Sequence, residues 1–455
     1  MPTIENYYAS NADAILDDFF SFLKFESIST MPSHAEDVRA CCSWVRKKLE
    51  SIAFDVEVWE TPGHPIIFAS NMSAGPDKPT VLIYNHYDVQ PADPLEEWTS
   101  LPFAPEVRDG EVYSRGAQDN KGQCLYVLHA LKALIECDGA LPVNIKMCIE
   151  GEEEIGSPSL AALAATKKEA LSADYLIIAD VGTPKENIPT ITLGIRGLVA
   201  MTATFTGATT DMHSGSHGGI AYNTNHAMLE TLAKLRDETG RVTVPGFYDD
   251  VAELSDEERS LIDLSFDAEG YKEMFGADPS GGEKAYTPYE SAWIRPTLEI
   301  NGIDGGYTGE GFKTVIPKKA MAKISCRLVA GQEPKKIAGL VEAFLEDNVP
   351  NGIAVTVAVK EGMGTAVRTR VDSPIVTAAA KAYEEVFGIP CRYIYEGGSI
   401  PVAAKLAEAC GGDVIFIGVG LPDDNIHAPN EHFGLDRIKK GLLITAKTLE
   451  ILSIE

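Results

Sequence analysis

The sequence predicts an α/β fold in two domains: a discontinuous α/β domain with helices on both faces of a central sheet, interrupted by an inserted α+β domain. Three observations lead there. Strand-like and helix-like stretches alternate in the first part of the chain, the pattern changes after Ile195-Arg196-Gly197, and the first pattern returns from Ser373 onward. The domain segments read as 1–196, 197–367 and 368–455.

Apolar residues at helical spacing over Asn11 to Phe25 and Ala35 to Ile52, with a Pro32-Ser33 break between them, predict two opening helices. Short β-rich runs follow at Thr80 to Tyr84, Val143 to Ile149 and Tyr175 to Ala179, with a helical stretch at Cys124 to Ile135. In the inserted part, alternation over Leu198 to Phe205 predicts a half-buried strand and Asn225 to Arg236 an amphipathic helix. Pro245 to Pro296 is rich in acids, Gly and Pro and reads as an insertion of long loops and short helices. Strands at Thr297 to Ile300 and Ala320 to Leu328, a helix at Pro334 to Glu346 and a strand at Ile353 to Val359 complete a compact module. Helix Pro374 to Val386, strand Asp413 to Ile417 and helix Asp436 to Leu452 return to the first domain.

With 455 residues, 45% of them hydrophobic, the chain has enough apolar surface for a large core. Its 39 basic and 67 acidic residues leave a net charge of −28, which argues against nucleic acid or an anionic membrane as partner. Acids occupy the positions where an export signal carries basic and then apolar residues, and no apolar run reaches the roughly 18 residues of a membrane span. The eight cysteines form no CxxC pair. Together these features predict a soluble, cytoplasmic protein with reduced thiols.

Chemistry-bearing residues recur where strands end. His86 and Asp88 follow the Thr80 to Tyr84 run in Asn85-His86-Tyr87-Asp88-Val89-Gln90-Pro91, at the carboxyl end of a strand, where open α/β sheets bind ligands. Alone, this pair reads as a hydrogen-bonded loop histidine. Asp119 sits in Arg115-Gly116-Ala117-Gln118-Asp119-Asn120-Lys121-Gly122, where a helix N-cap is the simpler reading. Glu150-Gly151-Glu152-Glu153-Glu154-Ile155-Gly156-Ser157 reads by itself as a solvated acidic loop. Asp180 ends a fourth apolar run, and His427 lies in Asp423-Asp424-Asn425-Ile426-His427-Ala428-Pro429-Asn430-Glu431. If these ends meet, each pair of carboxylates at 4 Å repels by about 4 kcal/mol at an effective dielectric of 20, so the cluster needs cations. Imidazole and carboxylate ligands without thiolate point to zinc, manganese or cobalt.

These five motifs, in this order, resemble the di-metal peptidase family of carnosinases, cytosolic non-specific dipeptidases, aminoacylases, succinyl-diaminopimelate desuccinylases and glutamate carboxypeptidases, closest to the dipeptidase branch. The resemblance implies two divalent ions per subunit, zinc foremost, with Asp119 bridging them. His86 and Asp180 would complete one site, and Glu154 and His427 the other. Glu153 would be the general base and Asp88 would orient His86. In the inserted domain, which would act as a lid and dimerisation domain, His213 of Asp211-Met212-His213-Ser214-Gly215 would stabilise the oxyanion across a homodimer. Arg327, Thr314 and, from the first domain, Ser399 would hold the carboxylate of a small peptide substrate. Read alone, Arg327 is a surface or ion-pair residue and His213 a structural one. The reaction so implied is hydrolysis of the amide bond of dipeptides or short peptides with a free C-terminal carboxylate. A deacylase of N-acyl or N-succinyl amino acids with the same metals is the first rival, and a non-catalytic peptide binder the second. Asn85, Tyr87 and Ile155 depart from the family's usual residues, while all five ligand positions are intact.

Overall fold

A computed structural model of the chain describes residues 3–454 except 263, 264, 361, 362, 399 and 401. It divides into two compact units, one of Met1–Gly194, Arg368–Ile394 and Ile400–Glu455, the other of Ile195–Val367 and Tyr395–Ser399. The short piece from Tyr395 joins the second unit because Arg196 N–H donates to Glu396 O (3.3 Å) and Arg196 Nε to Gly397 O (3.1 Å).

The first unit is built on a mixed sheet. Its strand order runs Asp55–Trp59, Ile66–Asn71, Asn144–Glu150, Thr80–His86, Tyr175–Ile178, Asp413–Phe416 and Thr190–Ile195, with short edge pairings beyond. Thr80–His86 lies between two parallel neighbours and is buried along nearly its whole length, as expected for a strand covered on both faces. The two strands at one edge are antiparallel, Asp55–Trp59 and Ile66–Asn71, and no clear pattern in the sequence announces them. Helices Ile4–Leu23, Gln123–Asp138, Leu435–Leu452 and Pro374–Phe387 pack in that spatial succession. The first helix starts earlier than its apolar pattern because the Thr3 hydroxyl caps it, accepting Asn6 N–H at 3.2 Å.

The second unit is a two-layer α+β module. Four antiparallel strands, in the order Thr297–Gly305, Lys319–Leu328, Gly197–Thr206 and Ala354–Val359, place alternate residues against helices Thr224–Ala233 and Pro334–Asn348. Val199, Met201, Ala203 and Phe205 point into that core with Ala322, Ile324 and Cys326. The stretch read as an insertion carries three short helices, Asp256–Leu261, Ala268–Phe275 and Pro288–Trp293. Ser255/Glu258 and Thr287/Glu290 capping boxes start the first and third.

Candidate metal centre

The first unit gathers the polar ends of its strands. His86, the last residue of the buried Thr80–His86 strand, directs Nε2 to Asp119 Oδ1 at 3.0 Å, with Asp180 Oδ1 at 3.7 Å. Its other nitrogen, Nδ1, lies 3.1 Å from the Asp88 carbonyl and 3.3 Å from Asp88 Oδ1, which sets the ring's orientation. Asp88 is fully buried and also accepts the backbone N–H groups of Glu153 (3.2 Å) and Glu154 (3.1 Å). One side chain thus fixes both the histidine and the turn that carries the two glutamates.

Asp119 does not cap a helix. Its backbone (φ −110°, ψ 96°) breaks the helical geometry around it, and helix Gln123–Asp138 starts after Gly122 without a side-chain cap. Its second oxygen, Oδ2, instead faces His427 Nε2 at 2.9 Å, and His427 Nε2 is 3.2 Å from Glu154 Oε2. Two ligand-type groups result, His86/Asp119/Asp180 and Asp119/Glu154/His427, sharing Asp119.

The electrostatics record the crowding. Burial, then the charges of Asp180, Asp119 and Glu154, push the Glu153 carboxyl up to about 9, against the pull of His86. Burial and Asp119 lift Glu154 as well, and burial with Asp119 and Glu154 takes Asp180 to about 6. Burial also raises Asp119, but hydrogen bonds from His427 and His86 outweigh it and hold that carboxyl below the usual range. Those bonds, with Glu154, raise His427 to about 10, and His86 rises too, because Asp180 and Asp119 overcome the opposing effect of burial. In the metal-free protein, protons on two imidazoles therefore stand between carboxylates. The residues fit cations: three carboxylates and two imidazoles form two ligand-type groups that share Asp119, and the donors are all nitrogen and oxygen.

The second unit holds the other expected residues. His213 is exposed, at the end of the two-residue strand Met212–His213, which pairs with Val315–Ile316. Ser214 N–H donates to Thr314 O at 3.1 Å. His213 Nδ1 accepts Gly215 N–H at 3.0 Å, so a neutral ring carries its proton on Nε2. Arg327 sits on Lys319–Leu328, on the sheet face away from the core. Its charge, after burial, holds the neighbouring Arg196 down to about 10. Ser399 lies outside the described residues.

A model of the peptidase family M20/M25/M40 matches residues 82–451. The chain belongs to that family. The Cys-Gly metallodipeptidase of Schizosaccharomyces pombe is 35% identical to it over 390 residues, 83% of this chain and 81% of that protein. A solved M20 family metallo-carboxypeptidase from Sulfolobus solfataricus has a TM-score of 0.83 at 33% identity, over 97% of this chain and 99% of the other. Human carnosine dipeptidase 1 has a TM-score of 0.75 at 29% identity, over 99% of this chain and 98% of the other. Like its family, this M20 peptidase is a hydrolase that acts on peptide bonds.

Around the candidate ligands of this M20 peptidase stand residues to which sequence reasoning gave no role. Asn120 Nδ2 donates to Asp180 Oδ1 (2.6 Å) and Ala179 O (2.8 Å), while its Oδ1 accepts Asn85 Nδ2 at 2.8 Å. Gln90 Nε2 donates to Glu154 Oε2 at 2.8 Å. Glu152, the first acid of the Glu152–Glu154 run, is buried and accepts the N–H groups of His64 (2.9 Å) and Ser159 (3.0 Å), tying down the turn beside Glu153. Amides and single acids in loops carry no periodic signal. All four lie inside the quoted motifs, and Asn85 and Asn120 directly flank candidate ligand positions.

Proposed function

We propose that the chain is a two-metal dipeptidase that hydrolyses the amide bond of dipeptides or short peptides bearing a free C-terminal carboxylate. The observation that carries this reading is Asp119, whose two oxygens face two different histidines at 3.0 and 2.9 Å, each backed by a further carboxylate. His86, Asp119 and Asp180 would hold one ion, and Asp119, Glu154 and His427 the other. The nitrogen and oxygen donors favour zinc, with manganese and cobalt chemically admissible. Such ions, when bound, supply the Lewis acidity that makes water a nucleophile near neutral pH.

Glu153 is the proposed general base. Cations among its neighbours would offset the repulsion that adds to burial in raising it, favouring a carboxylate able to take a proton. It accepts one from the attacking water as the oxygen bonds to the amide carbon, then delivers it to the nitrogen as the C–N bond breaks. The products are a carboxylate and a free amine. Asp88 orients His86 and the Glu153–Glu154 turn together. Arg327, with Thr314 and Ser399, is the proposed grip on the substrate carboxylate, since a guanidinium offers two parallel donors.

His213, with its proton on Nε2, is proposed as the oxyanion donor, contributed across a homodimer formed through the inserted unit. Eight unpaired cysteines fit a reducing, cytoplasmic setting, and among the described residues no helix is long and apolar enough to cross a membrane. Two assays test the reading. Metal-loaded protein should cleave dipeptides in preference to C-terminal amides and N-acetyl or N-succinyl amino acids; a preference for the acyl amino acids would make it a deacylase. Mixed Glu153→Ala and His213→Ala subunits should regain activity on exchange, and none regained would end the shared-site proposal.

A further inference from the structure

The last residue of the His427 motif has a place of its own. Asn425, His427 and Asn430 adopt φ of 57°, 60° and 62°, a left-handed backbone that L side chains rarely take. A loop with three such residues keeps its shape only if its surroundings hold it. Two buried carboxylates do so. At one end Asp424 accepts Arg437 Nη1 on both oxygens (2.5 Å each) and Leu421 N–H (2.7 Å), while Arg437 Nη2 donates to Glu111 Oε2 (2.6 Å). That guanidinium fills the space between Glu111 and Asp424, so this acidic group needs no cation.

At the other end is Glu431, 1% exposed. Its Oε2 accepts Arg115 Nη1 (2.7 Å) and Gly116 N–H (2.8 Å), and its Oε1 accepts the N–H groups of Gln118 and Asp119 (3.1 Å each). Four donors converge on one carboxylate, and three of them are backbone groups of the turn that presents Asp119. Arg115 is itself anchored by Nη2 to Pro91 O at 3.0 Å. Glu431 follows His427 by four positions, so one side chain registers the histidine loop against the aspartate turn. His86 stands outside this circuit, on its strand and oriented by Asp88.

We propose that Glu431, clamped by Arg115, is a positioning residue that sets His427 against Asp119 and keeps the Asp119/Glu154/His427 cation site formed before a cation arrives. The inference rests on the two-cation reading above. The test is titration of the metal-free protein with Co²⁺, followed by its visible absorption, together with metal counting after desalting. Wild type should take two ions. Glu431→Gln should keep the ion at His86 and weaken the other by about 10- to 100-fold, the usual effect of losing a partner that orients a ligand. Excess Co²⁺ should restore the second ion, and Glu431→Asp, which keeps the charge but shortens the reach, should weaken the same ion less.

Equal weakening of both ions, or two ions bound as in wild type beside a lowered melting temperature, would reduce Glu431 to a structural residue and overturn the proposal. Hydrogen exchange on metal-free wild type tests the clamp without a variant: the amides of Gly116, Gln118 and Asp119 should be protected, and rapid exchange there would also overturn it. Wild type that takes up no Co²⁺ would instead sink the two-cation reading, with the exchange result still reporting on the clamp.

Discussion

His86 and His427 face the two oxygens of one carboxylate, yet they are held by opposite means. His86 ends a strand hydrogen-bonded on both sides, with a fully buried side chain and a ring turned by Asp88. His427 has a left-handed backbone, a side chain 50% exposed, and a loop shaped by ion pairs to distant residues. The sheet supplies one half of the centre through its own ladder. The other half is assembled from turns and depends on side chains that pin them. Holding two cations as proposed, a site of this construction would pair a stiff position with a more exchangeable one.

The largest expected effect falls on both halves alike. Glu153→Gln should lower kcat/KM by about 10²- to 10⁴-fold with two ions still bound, as measured by steady-state kinetics and metal counting. A variant that turns over like wild type would leave the centre without its base.

Exchanging the histidines separates the halves. His86→Ala strips a partner from buried carboxylates and should cost about 3 kcal/mol or more in addition to an ion. His427→Ala should also lose an ion but cost less stability than His86→Ala, because the His427 side chain is 50% exposed and water can take its place, whereas His86 is fully buried. Denaturant unfolding of the metal-free proteins reads this contrast, and equal costs would erase it. Under a weak chelator the loaded enzyme should pass through a one-ion form as the His427 side empties first. Simultaneous loss of both ions would show that the halves are equally stiff.

The pH dependence of metal uptake has a definite sign. His427 stands near 10 and His86 is also raised, so both are protonated at neutral pH in the metal-free protein and must lose protons to become ligands. Affinity should rise with pH up to that range, by about tenfold per unit for each proton released. Calorimetry at two pH values in buffers of different ionisation enthalpy should count about three protons for two ions, two from the imidazoles and one from Glu153. No proton release would contradict the hydrogen bonds that raise these histidines. The smallest effect is expected at Gln90→Ala, which frees Glu154 Oε2 and should weaken only the His427-side ion, by about tenfold, in the same Co²⁺ titration.

Much of the fold could be read because its central strands are apolar runs that stop at a polar residue. Thr80–His86, Asn144–Glu150 and Tyr175–Ile178 lie within a residue or two of where their composition puts them. The edge strand Asp55–Trp59 escaped notice because a half-covered edge tolerates mixed residues, and its inner neighbour Ile66–Asn71 because a buried run of four residues is too short to show a period. Asp119 shows the limit of local reading: the same Asp before a helix serves equally well as a cap. Only the approach of two histidines removes that alternative.

By itself, then, the sequence determined which side chains stand at strand ends and that too many of them are acids to meet without cations. Both follow from local composition and Coulomb repulsion. Tertiary structure decided which oxygen faces which imidazole, how Asp88 serves two elements, and how Glu431 reaches Arg115, 316 positions away along the chain. Such pairings leave no periodic trace, because the distance that sets their strength exists only once the chain has closed on itself.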